Sequence, residues 1–291
     1  DRAVVLGGGG LTGVAWLHGV LDELPGVVGT ADRVVGTSAG ALMAARLLGG
    51  RDPNGLRAHV AELAGVRLGA GVVARLVAAQ LWPSRRHALK WLGRAAERPT
   101  PLASEDFVTL VTRAIGTMVW PEPLVVSAVD AVAGRPAYFT ARSGVELGRA
   151  VAASCAMPGV MPPVTIDGRP FLDGGLRSPA NADLAAGCRR VLVLAPQGRS
   201  VRSVRRPSYQ AARLRAEGAE VILVAAEHPG VNVMSAAALA GARESGRHAG
   251  RSVAAAVREL WTATPDSVPG SVPDAGPAHD RDAGSAIVDG R

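Results

Sequence analysis

An α/β fold built on a mainly parallel sheet is what this sequence predicts, and three observations carry that prediction. Two short apolar runs, Ala3-Val4-Val5-Leu6 and Arg33-Val34-Val35, each lead through a glycine-framed turn into a helix-like pattern. Later strand-length apolar runs, at residues 124–129, 190–194 and 220–224, alternate with stretches of helical period. Strands covered by helices on both faces read as continuous apolar runs, which is what these segments are. The third observation is bulk: at 291 residues and 48% hydrophobic, the chain can bury one substantial core.

The elements follow in order. After the first strand comes an almost pure glycine turn, Gly7-Gly8-Gly9-Gly10-Leu11-Thr12-Gly13. Glycine permits positive φ and close backbone approach, and the start of the next helix presents free N–H groups to negative charge. The second strand ends in Gly36-Thr37-Ser38-Ala39-Gly40, and Ala41-Leu42-Met43-Ala44-Ala45 continues as a helix. Residues 55–98 read as a helical block closed by Pro99-Thr100-Pro101; residues 72–82 within it are strongly apolar, and Arg85, Arg86, Lys90, Arg94 and Arg98 surround Trp91 and Leu92. The plain expectation there is a helical layer with a solvated basic face. The sharper one is a cap over the site that also touches anionic membrane.

Ser104 is the N-cap candidate for a helix to about Ile115. Residues 124–129 read as a buried strand, residues 131–135 as a turn, and residues 137–140 as its partner. A helix is expected over residues 145–154, then a rigid loop, Met157-Pro158-Gly159-Val160-Met161-Pro162-Pro163. Val164-Thr165-Ile166 and Pro170-Phe171-Leu172 flank an Asp167-Gly168 turn, a hairpin signal. Two further buried strands, residues 190–194 and 220–224, are followed by helix to about Trp261. Residues 1–261 therefore read as one domain. Residues 262–291, rich in Pro, Gly, Ser and Asp with few apolar anchors, read as a disordered tail.

Composition narrows the function. The formal charge of +7 is almost wholly arginine, since Lys90 is the only lysine, and an Arg-, Ala-, Gly- and Val-rich chain also follows from GC-rich coding. Aromatic content of 3% is too low for base-stacking platforms, so no nucleic-acid partner is expected. Cys155 and Cys188 have no metal-like spacing, which argues against a zinc site or disulfide framework and fits a reducing cytoplasm. No apolar stretch reaches transmembrane length, and the N-terminal residues lack a basic region followed by a signal-peptide core.

Gly36-x-Ser38-x-Gly40 has the form of a nucleophile elbow, a serine on a sharp strand-to-helix turn whose helix N-terminus favours negative charge. Alone the pattern is common in a glycine-rich chain; the β-branched strand before it and the helix after it make it informative. Gly8-x-Gly10-x-x-Gly13 is also a dinucleotide fingerprint, but that needs an acid at the end of the second strand, and Asp32 lies before it. Phe171-Leu172-Asp173-Gly174-Gly175 places an aspartate at a strand end; buried, such a carboxylate can take the serine's proton. Asp130 is the runner-up acid, beside a turn it is placed to cap.

Together and in this order, these motifs resemble the patatin-like phospholipase family, in outline over residues 4–261. Gly8-Gly9-Gly10-Leu11-Thr12-Gly13 is similar to its oxyanion loop, Gly36 to Gly40 to its elbow, and Asp173-Gly174-Gly175 to its acid motif. Ala153-Ser154-Cys155-Ala156-Met157-Pro158-Gly159-Val160-Met161-Pro162-Pro163 is similar to the loop preceding that acid. One departure is Thr12, where members often carry a basic residue.

The resemblance implies a three-layer α/β/α fold with a mainly parallel central sheet. It also implies a Ser38–Asp173 dyad without a histidine, an oxyanion hole from Gly8, Gly9 and Gly10, and no cofactor or metal. The implied activity is that of a lipid acyl hydrolase, a phospholipase A or carboxylic ester hydrolase. Its partner is a lipid ester or phospholipid, in the cytoplasm with peripheral membrane contact. Acyl transfer on the same dyad is the alternative enzyme. A non-catalytic lipid-binding regulatory protein is the alternative outside enzymes, and the intact Ser38 and Asp173 argue against it. The rival mechanism is a triad of Ser38, Asp173 and His228 in α/β-hydrolase order, although such hydrolases place several strands before the elbow and here there is one. His18, His59, His87 and His248 fall in helical patterns and His279 in the tail.

Overall fold

The computed structural model describes residues 1–56, 69–96, 102–226 and 233–263. Its strands are β1 (Arg2–Leu6), β2 (Arg33–Gly36), β3 (Leu124–Asp130), β4 (Arg135–Phe139), β5 (Val164–Ile166), β6 (Arg169–Asp173), β7 (Arg190–Ala195) and β8 (Glu220–Ala225). Among the described residues the helices are α1 (Gly10–Asp22), α2 (Ala39–Leu48), α3 (Ala70–Leu81), α4 (Arg85–Ala96), α5 (Ser104–Ile115), α6 (Leu147–Ser154), α7 (Pro207–Ala216) and α8 (Leu239–Thr262). All eight strands join one sheet, ordered β5-β6-β3-β2-β1-β7-β8 with β4 also paired to β3. The run from β3 to β8 is parallel, and β4, β5 and β6 add antiparallel pairings.

Period-two alternation splits each central strand between two cores. Val4 and Leu6 of β1, with Leu192 and Leu194 of β7, join the core under α1, α2, α5, α6 and α8. Ala3, Val5, Val191 and Val193 face the other way, against Leu214 of α7 and the alanines at 180, 182 and 185. The result is a three-layer α/β/α fold with a mainly parallel central sheet. On the second face α4 covers the far end of β3 and β6, where Leu89 and Ala96 meet Val129 and Leu172. The α1–α8 crossing is very close: a Cβ on Gly246 would stand 2.1 Å from the Trp16 carbonyl oxygen.

Three expectations need correction. Ser104 is not the N-cap of α5; Ala103 is, and the Ser104 hydroxyl donates to the Pro163 carbonyl at 2.9 Å instead. β8 is not a buried strand but an edge strand, with only Val224 fully buried. The helix expected from residue 145 begins at Leu147. Parts of the 55–98 block, residues 57–68 and 97–98, lie outside the described residues, as does the tail beyond Ala263. Among the described residues, no helix is long and apolar enough to cross a membrane.

Candidate active site

β3 sets the geometry of the site. Its residues 126–130 pair with β4 and its residues 128–130 pair with β6, so β4 and β6 occupy opposite edges. β2 shares Val126 with β4 and therefore lies on the β6 edge. Along that edge β2 and β6 run toward each other: Gly36 stands opposite Val126, and Asp173 opposite Ala128. One register position separates them, and there the chain leaves β2 through the turn bearing Ser38.

Ser38 has φ 53° and ψ −117°, left-handed backbone that strains a residue with a Cβ by about 1–3 kcal/mol. Surrounding contacts hold it there. Its N–H donates to Ser154 Oγ at 2.8 Å, the Thr37 N–H donates to the Leu6 carbonyl at 3.0 Å, and the Gly40 N–H closes the turn on the Thr37 carbonyl at 2.8 Å. A Cβ at Gly40 would lie 1.9 Å from the Leu6 carbonyl oxygen, so this position excludes any side chain. α2 begins at Ala39 and aims its N-terminus at the serine.

The Ser38 hydroxyl donates to Asp173 Oδ2 at 2.8 Å, while Asp173 Oδ1 accepts the Gly175 N–H at 2.7 Å. Both side chains are buried, at 7% and 3% exposure. Burial pushes the Asp173 carboxyl up to about 6, against the stabilising N–H of Gly175 and hydroxyl of Ser38. Asp173 is therefore ionised at neutral pH yet a better base than an exposed carboxylate. Beside it, burial and the Asp173 charge push the Cys155 thiol well above its ordinary range, so it stays a thiol.

A family model described as patatin-like phospholipase matches residues 4–186, more than half of the chain. The chain belongs to that family. No curated protein matches it. Among solved structures it is similar to VipD from Legionella pneumophila, at 13% identity and TM-score 0.44, over 88% of this chain and 67% of that one. It is also similar to the type III effector protein ExoU, at 16% identity and TM-score 0.36, over 90% of this chain and 53% of that one. The chain thus spans about half the length of ExoU.

In this member of the family the glycine loop departs from expectation at one residue. The Gly8 N–H donates to the Pro179 carbonyl at 2.8 Å, so it is not offered to a substrate oxygen. The N–H groups of Gly9, Gly10 and Ala39 have no acceptor among the described residues. Gly13, Gly36 and Gly40 lie at the contacts of α1, β2 and α2, and Gly174 and Gly175 turn the chain out of β6. Thr12 packs its hydroxyl toward the Gly9 carbonyl at 3.3 Å.

Ser38, Asp173 and Gly10 line two cavities. The larger, about 270 Å³, opens between the glycine loop, α3, α4 and residues 197–205. The smaller, about 50 Å³, is walled by apolar side chains including Leu11, Val14, Leu42, Phe107 and Met161. No described histidine lines either one. His18 sits 3.4 Å from Asp22, His87 bonds Ser84, and His248 is exposed. His59, His228 and His279 lie outside the described residues. Asp130 caps the turn after β3, accepting from Val132 and Ala133 N–H at 2.9 and 2.7 Å, and pairs with Arg169.

Sequence reading missed the polar network under the elbow. Asn181, fully buried at φ 53°, points Nδ2 at Thr37 Oγ1 (3.0 Å), Ser127 Oγ (3.2 Å) and the Ser178 carbonyl (2.9 Å). Thr37 and Ser127 hydroxyls share a further 2.8 Å bond. These contacts tie the elbow, β3 and the loop after Asp173 together. The only sequence signal was an asparagine in a turn-like stretch, a residue that tolerates left-handed backbone.

Proposed function

We propose that the protein is a serine lipid acyl hydrolase working through a Ser38–Asp173 dyad. The observation that supports it most directly is the 2.8 Å hydrogen bond from a strained, cavity-facing Ser38 hydroxyl to a buried carboxylate. Asp173 takes the hydroxyl proton as Ser38 Oγ attacks the ester carbonyl. The N–H groups of Gly9, Gly10 and Ala39 receive the oxyanion, each such donor contributing about 3 kcal/mol. Asp173 then returns the proton to the leaving alcohol, and the acyl group stays on Ser38. Water, deprotonated by Asp173, releases the acid. The apolar recess suits the acyl chain, and the larger cleft the rest of the lipid.

The exposed face of α3 suits lipid entry. Val73 and Val77 stand at the cleft rim, and Leu81 and Trp82 extend the apolar surface, Trp82 stacking on Trp91 at 5.8 Å. We propose a peripheral membrane contact there.

Ser38→Ala is expected to abolish ester hydrolysis and labelling by a fluorophosphonate probe, with the far-UV circular dichroism unchanged. Asp173→Asn should lose nearly as much, since an amide cannot accept the proton, whereas His228→Ala should stay within about twofold of wild type. Loss of turnover in a folded His228→Ala variant would replace the dyad with a triad.

A further inference from the structure

Beside the catalytic cleft, four arginines converge on a separate cavity of about 130 Å³: Arg85 from α4, Arg177 from the loop after Asp173, and Arg202 and Arg205 from the segment before α7. The sequence placed Arg85 with Arg86, Lys90 and Arg94 on one basic face. Instead Arg86 and Arg94 are exposed, while Arg85 turns inward with Nε and Nη2 buried and without a partner. Among the described residues Arg177 alone of the four has a carboxylate, donating to both oxygens of Asp183, and its Nε too is buried and unpartnered. Among the described residues Arg202 donates only to main-chain carbonyls, those of Gln80, Trp82 and Pro83. Arg205 is 8% exposed, and its guanidinium makes no hydrogen bond or ion pair among the described residues.

Buried guanidinium donors are normally satisfied, because leaving them unmade is costly. Here they are unmade in two neighbouring side chains, Arg85 and Arg177, and the one carboxylate among the four arginines is already used. Burial and then mutual repulsion lower Arg85 to about 10, and burial with the Arg202 and Arg177 charges lowers Arg205. What such a site lacks is a multidentate oxyanion. Its volume is several times the roughly 30 Å³ share of one water, and the planar forks of arginine match phosphate oxygens. Arg205 also lines the cleft that holds Ser38, so the two cavities share a wall.

We propose that Arg85, Arg177, Arg202 and Arg205 form a phosphate-binding site that holds the headgroup phosphate of the lipid whose ester meets Ser38. This rests on the hydrolase reading above and makes the favoured substrate an anionic phospholipid rather than a neutral glyceride. An unattached phosphate offers the same oxygens, so the test separates the two sources.

The first measurement is binding of inorganic phosphate by calorimetry to Ser38→Ala protein, against chloride at equal ionic strength. It needs no turnover, so it stands even if the hydrolase reading fails. Saturable binding lost in Arg85→Gln/Arg205→Gln is expected; no binding to the parent, or equal binding to the variant, overturns the site. The second compares hydrolysis of phosphatidylglycerol with that of a short p-nitrophenyl ester. The double Gln variant should lose at least tenfold in kcat/KM on the phospholipid, mostly through KM, and under twofold on the ester, with Arg85→Lys/Arg205→Lys recovering part of the loss. Equal loss on both substrates means a structural role and overturns the proposal. Phosphate binding without any phospholipid-selective loss overturns the headgroup assignment. Competitive inhibition of the wild-type enzyme by millimolar phosphate, on the phospholipid only, is a further expected result that requires no variant to fold.

Discussion

As the proposed base, Asp173 would serve chemistry at the expense of stability. A carboxyl raised to about 6 in the folded protein, from about 3.8 when unfolded, binds more protons folded than unfolded between those values. Its contribution therefore favours the fold below pH 3.8 and is lost as pH rises through 6. At pH 7 the burial cost is fully present, with about 3 kcal/mol as its upper bound. Asp173→Asn removes that cost while its amide oxygen still accepts from Gly175, so the inactive variant is expected to melt several degrees higher at pH 7. The difference should shrink toward pH 4, as scanning calorimetry at both values can check. Hydrolysis of a neutral soluble ester should follow the same group with the opposite sign, with kcat/KM rising as pH passes through about 6. Both residues of the pair were legible in the sequence, because glycines must flank them where the chain turns out of the sheet. The N–H that Gly8 gives to Pro179 was not, since nothing local to the loop shows which carbonyl lies across from it.

At the scale of elements, α3 has an apolar surface that its own core does not use. Leu81 is 65% exposed and Trp82 41%, at the end of a helix whose neighbouring turns edge the cleft. Leu81→Glu is expected to reduce co-sedimentation with anionic vesicles severalfold and to slow hydrolysis of vesicle-borne lipid, with a soluble ester unaffected. Val119, at 91% exposure but lining neither cavity at Ser38, is the control: Val119→Glu should leave vesicle binding as it is. Equal effects from the two substitutions would mean nonspecific charge repulsion. The helical character of this block was readable from its period, and so was the basic cluster after it. Which arginine turns inward was not, because α4 packs through Leu89 and Leu92 and its rotation about that contact decides the side of Arg85. The edge position of β8 was equally hidden: its apolar run is indistinguishable from that of β7 until strand order is known.

At the scale of the whole molecule, the layers were legible because β1, β2, β7 and β8 are each followed in the chain by a helix. The pairing of β6 with β3 joins segments some forty residues apart, and no local pattern encodes it. The head-to-head meeting of β2 and β6 has a consequence in time as well as in space. Ser38 and Asp173 are separated by 135 positions, so bringing them together closes a loop whose entropy is about 4 kcal/mol before any contact compensates. The β2–α2 unit around Ser38 and the β5–β6 hairpin around Asp173 involve much shorter closures and can form earlier. After dilution from denaturant, far-UV ellipticity should recover first and fluorophosphonate reactivity of Ser38 measurably later. Coincident recovery would mean that β3 gathers both partners in a single cooperative step. If the lag is observed, the newly made chain passes through a helical, sheet-containing state in which Ser38 has not yet met the carboxylate proposed as its base, and it stays unreactive until β6 docks on β3.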